Sequence, residues 1–280
     1  MPSTYYKPSE ALSKYVLTYF LLENETIPEH GFPITVYPNG NVILGIVYGK
    51  TLPVMTDKGQ SFIVPTPGIS GQYTHPVSIR FFDDRALITI FKPFGFYYVF
   101  GIPHRMLLNQ TIALKTLGIS GYEEIVGKIS KAHSIQDKID FLENWLLKMI
   151  LKNKVTPVGL PEYLLNKIIL NKGIVPLKSI LTDLHLNSRY IERCFNQYVG
   201  MSAKEFAKII RFSSIANYLI NHPTADNIEL CEKGNLYDSS HLIKEFNKYT
   251  GFTPAHFLDQ ILNEGENQIE ALKRLNIAQA

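Results

Sequence analysis

The chain has 280 residues, 45% of them hydrophobic and 19% charged, with a formal net charge of +3. That composition excludes wholesale disorder, and at ~150 residues per domain it suggests about two domains. No run approaches ~18 uncharged apolar residues, no basic-then-apolar leader opens the chain, and the two cysteines, Cys194 and Cys231, cannot make a disulfide framework or a four-cysteine zinc site. A cytoplasmic protein that does not enter the membrane is the expectation.

Residues 1–152 read as a β-rich regulatory domain. Short apolar, β-branched runs at Ile34–Tyr37, Val42–Tyr48, Ser61–Val64, Val77–Phe82 and Leu87–Phe91 are separated by Gly, Pro and Asn. Pro38-Asn39-Gly40-Asn41 is a hairpin signal, because Asn-Gly accepts the positive φ of a tight turn. Strands at this spacing predict a barrel or sandwich. Aromatic residues such as Tyr37, Tyr48, Phe91, Phe96 and Phe100 either line a ligand pocket or fill the core.

Trailing helices are predicted over 122–152. Ser134 is a capping candidate with Asp137 three residues on, and Ile135, Ile139, Leu142, Leu146 and Met149 form an apolar seam. The seam packs on the barrel or pairs two copies of the chain. Residues 153–160, containing Pro157 and Gly159, read as a linker.

The second half repeats itself. RYIERCFNQYVGMSAKEF (189–206) aligns with SHLIKEFNKYTGFTPAHF (240–257), with Phe195/Phe246, Asn196/Asn247, Tyr198/Tyr249, Gly200/Gly251 and Phe206/Phe257 identical. Asn187 and Asp238 are N-cap candidates for helices over 188–199 and 239–250. Gly200 and Gly251 stop those helices where positive φ is cheap. New helices restart at Ser202, in a capping box with Glu205, and at Thr253-Pro254. A short amphipathic helix precedes each copy, at roughly 177–184 and 226–234. Two helices joined by a short turn make a helix-turn-helix, and two matched copies are far stronger evidence than one. The predicted fold class is therefore α+β: a β-rich domain (1–152), a linker (153–160), an all-α domain of two helix-turn-helix units (161–262) and a tail (263–280).

The helix between the copies is expected over about Ala203 to Ile220 and spans ~27 Å. Successive major grooves on one face of a duplex lie ~34 Å apart. Such a helix can hold two recognition helices in adjacent grooves. In the first, Ile191, Phe195 and Val199 share one face, while Ser188, Arg189, Glu192, Arg193 and Asn196 share the other. Arginine makes bidentate bonds to guanine and glutamate accepts from cytosine. In the second, Leu242, Phe246 and Tyr249 turn inward, and Ser239, Ser240, Ile243 and Lys244 turn outward. Arg189, Arg193, Lys204, Lys208 and Arg211 face only Glu192 and Glu205 between 189 and 211, a cluster that is either a phosphate-facing surface or a solvated helix face. The stretch 226–245 has two lysines against five acids, so the second unit is expected to bind DNA more weakly.

Residues 160–260 resemble the DNA-binding domain of AraC/XylS-type bacterial transcription regulators. The matching features are Phe195 with Gly200, Arg211 with Ala216, the run from Asp238 to Phe246 (DSSHLIKEF), and Gly251-Phe252-Thr253-Pro254. Asn235-Leu236 stands where the family has Gly-Phe. The resemblance implies double-stranded DNA as partner, and it maps the family's base-reading positions onto Arg189, Glu192 and Arg193. Residues 5–150 resemble, through Tyr6, Pro8, Gly71 and Pro93, an uncharacterised domain that precedes such DNA-binding domains. In relatives that position holds a cupin-like barrel that binds a small effector or forms a homodimer; an activator would also contact RNA polymerase.

The rival readings are a protein-interaction module and an enzyme. No His-x-His, HExxH, CxxC, P-loop or Gly-x-Ser-x-Gly motif is present, so no catalytic residue, metal or cofactor is expected. His30, His75 and His104 are scattered, and Cys194 and Cys231 suit packing better than redox sensing.

Overall fold

The computed structural model describes residues 4–23, 32–48, 54–55, 61–62, 66–81, 85–156, 159–183 and 187–264. Of the sequence expectations, His30, residues 63–64 and 82 of the predicted strands, Leu184, residues 157–158 of the linker and tail residues 265–280 lie outside them. The chain divides into two compact units. One comprises Met1–Thr35, Asn41–Gln72 and Ser78–Pro157; the other comprises Val36–Gly40, Tyr73–Val77 and Val158–Ala280.

The first unit contains β1 (Thr4–Tyr6), β2 (Val16–Glu23), β3 (Phe32–Val36), β4 (Val42–Val47), β5 (Val54–Met55), β6 (Ser61–Phe62), β7 (Gly68–Ser70), β8 (Val77–Phe81), β9 (Arg85–Phe91), α1 (Gly95–Phe100), β10 (Thr111–Ala113), α2 (Tyr122–Lys131) and α3 (Ile135–Asn153). Its main sheet has six strands in the order β1-β2-β9-β4-β7-β10. β9 lies between β2 and β4, antiparallel to both, so Thr89 sits opposite Tyr19 on one side and Leu44 on the other. β9 is a near-continuous apolar run with five of its seven residues buried, whereas β4, flanked by strands on both sides as well, alternates buried and half-buried residues.

The expected barrel does not close. Among the described residues β1 and β10 end the sheet without pairing with each other, and β3–β8 and β5–β6 form separate two-stranded sheets. The helices do the covering instead. Leu12, Val16, Leu44, Leu87 and Phe91 share one buried core with Phe96, Phe100, Leu142, Trp145 and Leu146. An apolar face buried against helices has no need to curl on itself. The α3 seam belongs to that core: Ile139, Leu142 and Leu146 are buried, and Ile135 and Met149 pack at its edge. Ser134 caps α3, accepting from the Asp137 N–H at 3.0 Å and donating to its carboxylate at 2.6 Å.

The Asn-Gly turn does not make a hairpin. Gly40 adopts φ +80°, but β3 pairs with β8 while β4 pairs with β9 and β7. Turn chemistry supplied the bend, and strand burial chose the partners. The aromatics also resolve toward packing. Phe91 meets Phe96 and Phe100 edge-on at 5.9 and 6.1 Å, and Phe100 lies 5.5 Å from Trp145. Beside them, in a 3-10 turn at His104–Met106, the His104 imidazole is buried 5.4 Å from the Phe96 ring.

The second unit is helical: α4 (Leu160–Leu170), α5 (Leu177–Asp183), α6 (Ser188–Tyr198), α7 (Ala203–Asn221), α8 (Asn227–Gly234), α9 (Ser239–Thr250) and α10 (Pro254–Glu264). Helix α7 is its spine, with eleven buried residues from Ala203 to Ile220, and α4, α6, α8, α9 and α10 all touch it. The repeat in sequence is a repeat of core. Phe195 packs on Phe206 at 6.4 Å, Phe246 packs on Phe257 at 5.7 Å, and all four are fully buried. Gly173, at φ +76°, lets the end of α4 reach α7: a Cβ there would stand 2.2 Å from the Ala207 carbonyl oxygen. Leu230 and Cys231 are buried, but Ile228 is 68% exposed.

Candidate nucleic-acid interface

Helix α6 is held at both ends and along one face. Asn187 accepts from the Arg189 N–H at 2.9 Å, satisfying one of the donors a helix start leaves open. Ile191, Cys194 and Phe195 are buried. At the far end Gly200 takes φ +86° and donates its N–H to the Phe195 carbonyl at 2.9 Å. Ser202 then caps α7 by accepting from the Glu205 N–H. With these anchors, Ser188, Arg189, Glu192, Arg193 and Asn196 are all exposed on one side of α6.

Helix α9 is built the same way with a different surface. Asp238 accepts from the His241 N–H at 2.8 Å, and Gly251 ends the helix at φ +82°. Asn235 closes α8 at φ +47°, the left-handed geometry that asparagine tolerates, so the turn forms without the family's glycine. Ser240 and Lys244 are exposed, whereas Ser239 and Ile243 are half-buried. The Cys231 thiol is buried. Burial pushes that thiol above its ordinary pKa, which disfavours the reactive thiolate.

The basic cluster is smaller than the sequence suggested. Arg211 does not face outward. Its guanidinium makes two hydrogen bonds to the Glu245 carboxylate, one of them from Nε at 3.3 Å, and the side chains are only 17% and 8% exposed. His241 approaches the same carboxylate at 3.4 Å. Glu205 is also engaged, by Lys248 and by the Tyr249 hydroxyl. These links clamp α9 to α7. Lys204 is exposed and Lys208 half-buried, so Arg189, Arg193 and Lys204 are the fully exposed cations of that cluster. Sequence reasoning missed the clamp because its partners lie 34 and 43 positions apart; only the motif match at Arg211 marked it as special. It also passed over Tyr190, which shares the exposed surface of α6. Among the described residues no cluster of His, Cys, Asp or Glu could hold a metal ion, and no helix is long and apolar enough to cross a membrane.

Residues 180–260, spanning both helix-turn-helix repeats and α7 between them, match the family described as a helix-turn-helix domain. The second half of the chain carries an AraC-type helix-turn-helix domain. This AraC-type domain is a DNA-binding module, and the chain is a transcriptional regulator. Residues 4–113 match a domain of unknown function (DUF6597). No curated protein matches the chain. Solved structures of ToxT from Vibrio cholerae are similar across both halves. An apo variant has TM-score 0.43 and 12% identity, covering 90% of this chain and 98% of that one. Wild-type ToxT bound to unsaturated fatty acid has TM-score 0.44 and 12% identity, covering 89% and 96%. ToxT from strain O395 has TM-score 0.43 and 12% identity, covering 86% and 95%.

Proposed function

We propose that this regulator reads DNA through two unequal heads. Helix α6 places Arg189, Glu192 and Arg193 against base edges in one major groove, with Ser188 and Asn196 at its flanks. Helix α9 sets Ser240 and Lys244 in the next groove, with Ser239 and Ile243 nearer the protein. The observation that carries this reading is the exposed Arg189/Glu192/Arg193 face on a helix whose other face is buried and whose start is capped. Arginine and glutamate there offer a guanine-reading fork and a cytosine acceptor. The 19 residues of α7 span ~28 Å, compatible with grooves ~34 Å apart once side chains extend each head.

The first unit carries regulation, by effector binding or by homodimerisation, and an activating form would contact RNA polymerase. Its order ahead of the AraC-type domain supports this role. The aromatic residues described there do not argue for a pocket, because Phe91, Phe96 and Phe100 pack on one another.

The test is selection from a random duplex library with the full chain, followed by a salt titration of the enriched sequence. The expected result is a motif about two groove segments long whose affinity falls steeply with salt. No enrichment and a flat salt response would refute sequence-specific binding and favour a protein-interaction module.

A further inference from the structure

The exposed side of α6 includes one residue that neither core packing nor charge explains. Tyr190 is 39% exposed, three positions after the N-cap residue Asn187. Its ring lies under the Arg193 guanidinium, whose Cζ stands 5.7 Å from the ring centroid. Residues 190 and 193 are neighbours on a helix surface, as are 190 and 194. Cys194, on the same helix, is buried. The ring thus carries Arg193 on its face.

We propose that Tyr190 is a positioning residue that sets the sequence specificity of the first recognition helix by holding Arg193 ready for guanine. This rests on the reading of α6 as a base-reading helix. A cation over an aromatic ring is attracted through its face. The N–H edge of a guanidinium is left free by such stacking, unlike in an ion pair, where the carboxylate occupies the donors. Arg193 has no ion-pair partner among the described residues, so its fork remains available for guanine O6 and N7. A side chain already ordered loses less rotamer freedom on binding, and the gain appears only where a guanine accepts both bonds.

The test compares the full chain with Tyr190→Leu and Tyr190→Phe, each alone and in an Arg193→Ala background. Affinities are measured on the selected duplex and on an unrelated duplex. Tyr190→Leu keeps bulk but removes the ring face; about a two- to fivefold loss is expected on the selected duplex, with no change on the unrelated one. Tyr190→Phe retains the face and is expected to bind like wild type. In the Arg193→Ala background Tyr190→Leu is expected to add nothing. Equal loss in both backgrounds, equal loss on both duplexes, or a Phe variant as weak as the Leu variant would overturn the proposal by making Tyr190 merely structural. No loss with leucine would overturn it as well. Failure of the underlying reading shows separately, since wild type would then select no sequence.

Discussion

Acid should weaken the first unit through one side chain. His104 is 1% exposed and, among the described residues, neither ring nitrogen has a hydrogen-bond partner. Burial alone pushes its pKa from 6.5 down to about 3. The folded state therefore keeps the imidazole neutral where the unfolded chain takes up a proton. Above pH 6.5 this has no effect on stability; below it, stability falls by about 1.4 kcal/mol per pH unit until the folded form also protonates near pH 3. At pH 5 the loss is about 2 kcal/mol, a large share of a typical domain's ~5–15. His104→Met removes the titrating group and fills similar space beside Phe96. It should also relieve the penalty of two unpartnered nitrogens, about 1–3 kcal/mol at neutral pH. The assay is denaturant unfolding at pH 7 and pH 5 followed by tryptophan fluorescence. Trp145 is the chain's one tryptophan and lies in the same core, so the signal reports this unit. Wild type should lose about 2 kcal/mol more than the variant between the two pH values. Parallel losses would refute the reasoning and mean that the imidazole is hydrated or paired in solution.

Three further outcomes follow from the second unit. Glu245→Leu strands the Arg211 charge in a partly buried site and should cost about 3–5 kcal/mol, while adding Arg211→Met should recover much of it; with Arg211→Met alone these variants close a double-mutant cycle, read by circular dichroism, and additive losses would refute the clamp. Gly173→Ala combines a positive φ with a clash against α7 and should destabilise the helices by at least about 2 kcal/mol, read from their melting. Arg193→Ala should weaken operator binding by about 1–3 kcal/mol and Lys244→Ala by less, in a salt-controlled binding assay; equal losses would contradict the asymmetry between heads.

What could be read along the chain was local. The caps at Asn187, Ser202 and Asp238 and the stops at Gly200 and Gly251 depend on contacts within a few residues, which spacing reveals. Phe195/Phe206 and Phe246/Phe257 could be recognised because a duplicated core leaves a duplicated pattern. The interactions that eluded reading join distant positions. Arg211 looks like a surface cation beside Lys208 until Glu245 arrives from another helix. The Asn39-Gly40 turn looks like a hairpin because its backbone chemistry is right, yet pairing depends on which strands can bury their faces. Ile228 satisfies an amphipathic pattern but lies outside the strip that α7 covers. Tyr190 was overlooked because an exposed aromatic carries no periodic signal.

The spine helix α7 has a consequence for any site the two heads share. Removing or adding one residue within it would swing the second head by ~100° and shift it by ~1.5 Å. A base pair inserted between the two contacted segments would swing the DNA by ~34–36°, since a turn holds 10–10.5 bp. Neither change can undo the other in a single step. The helix thus acts as a phase standard, and in the proposed complex its length and the gap between contacted segments can drift in evolution only together.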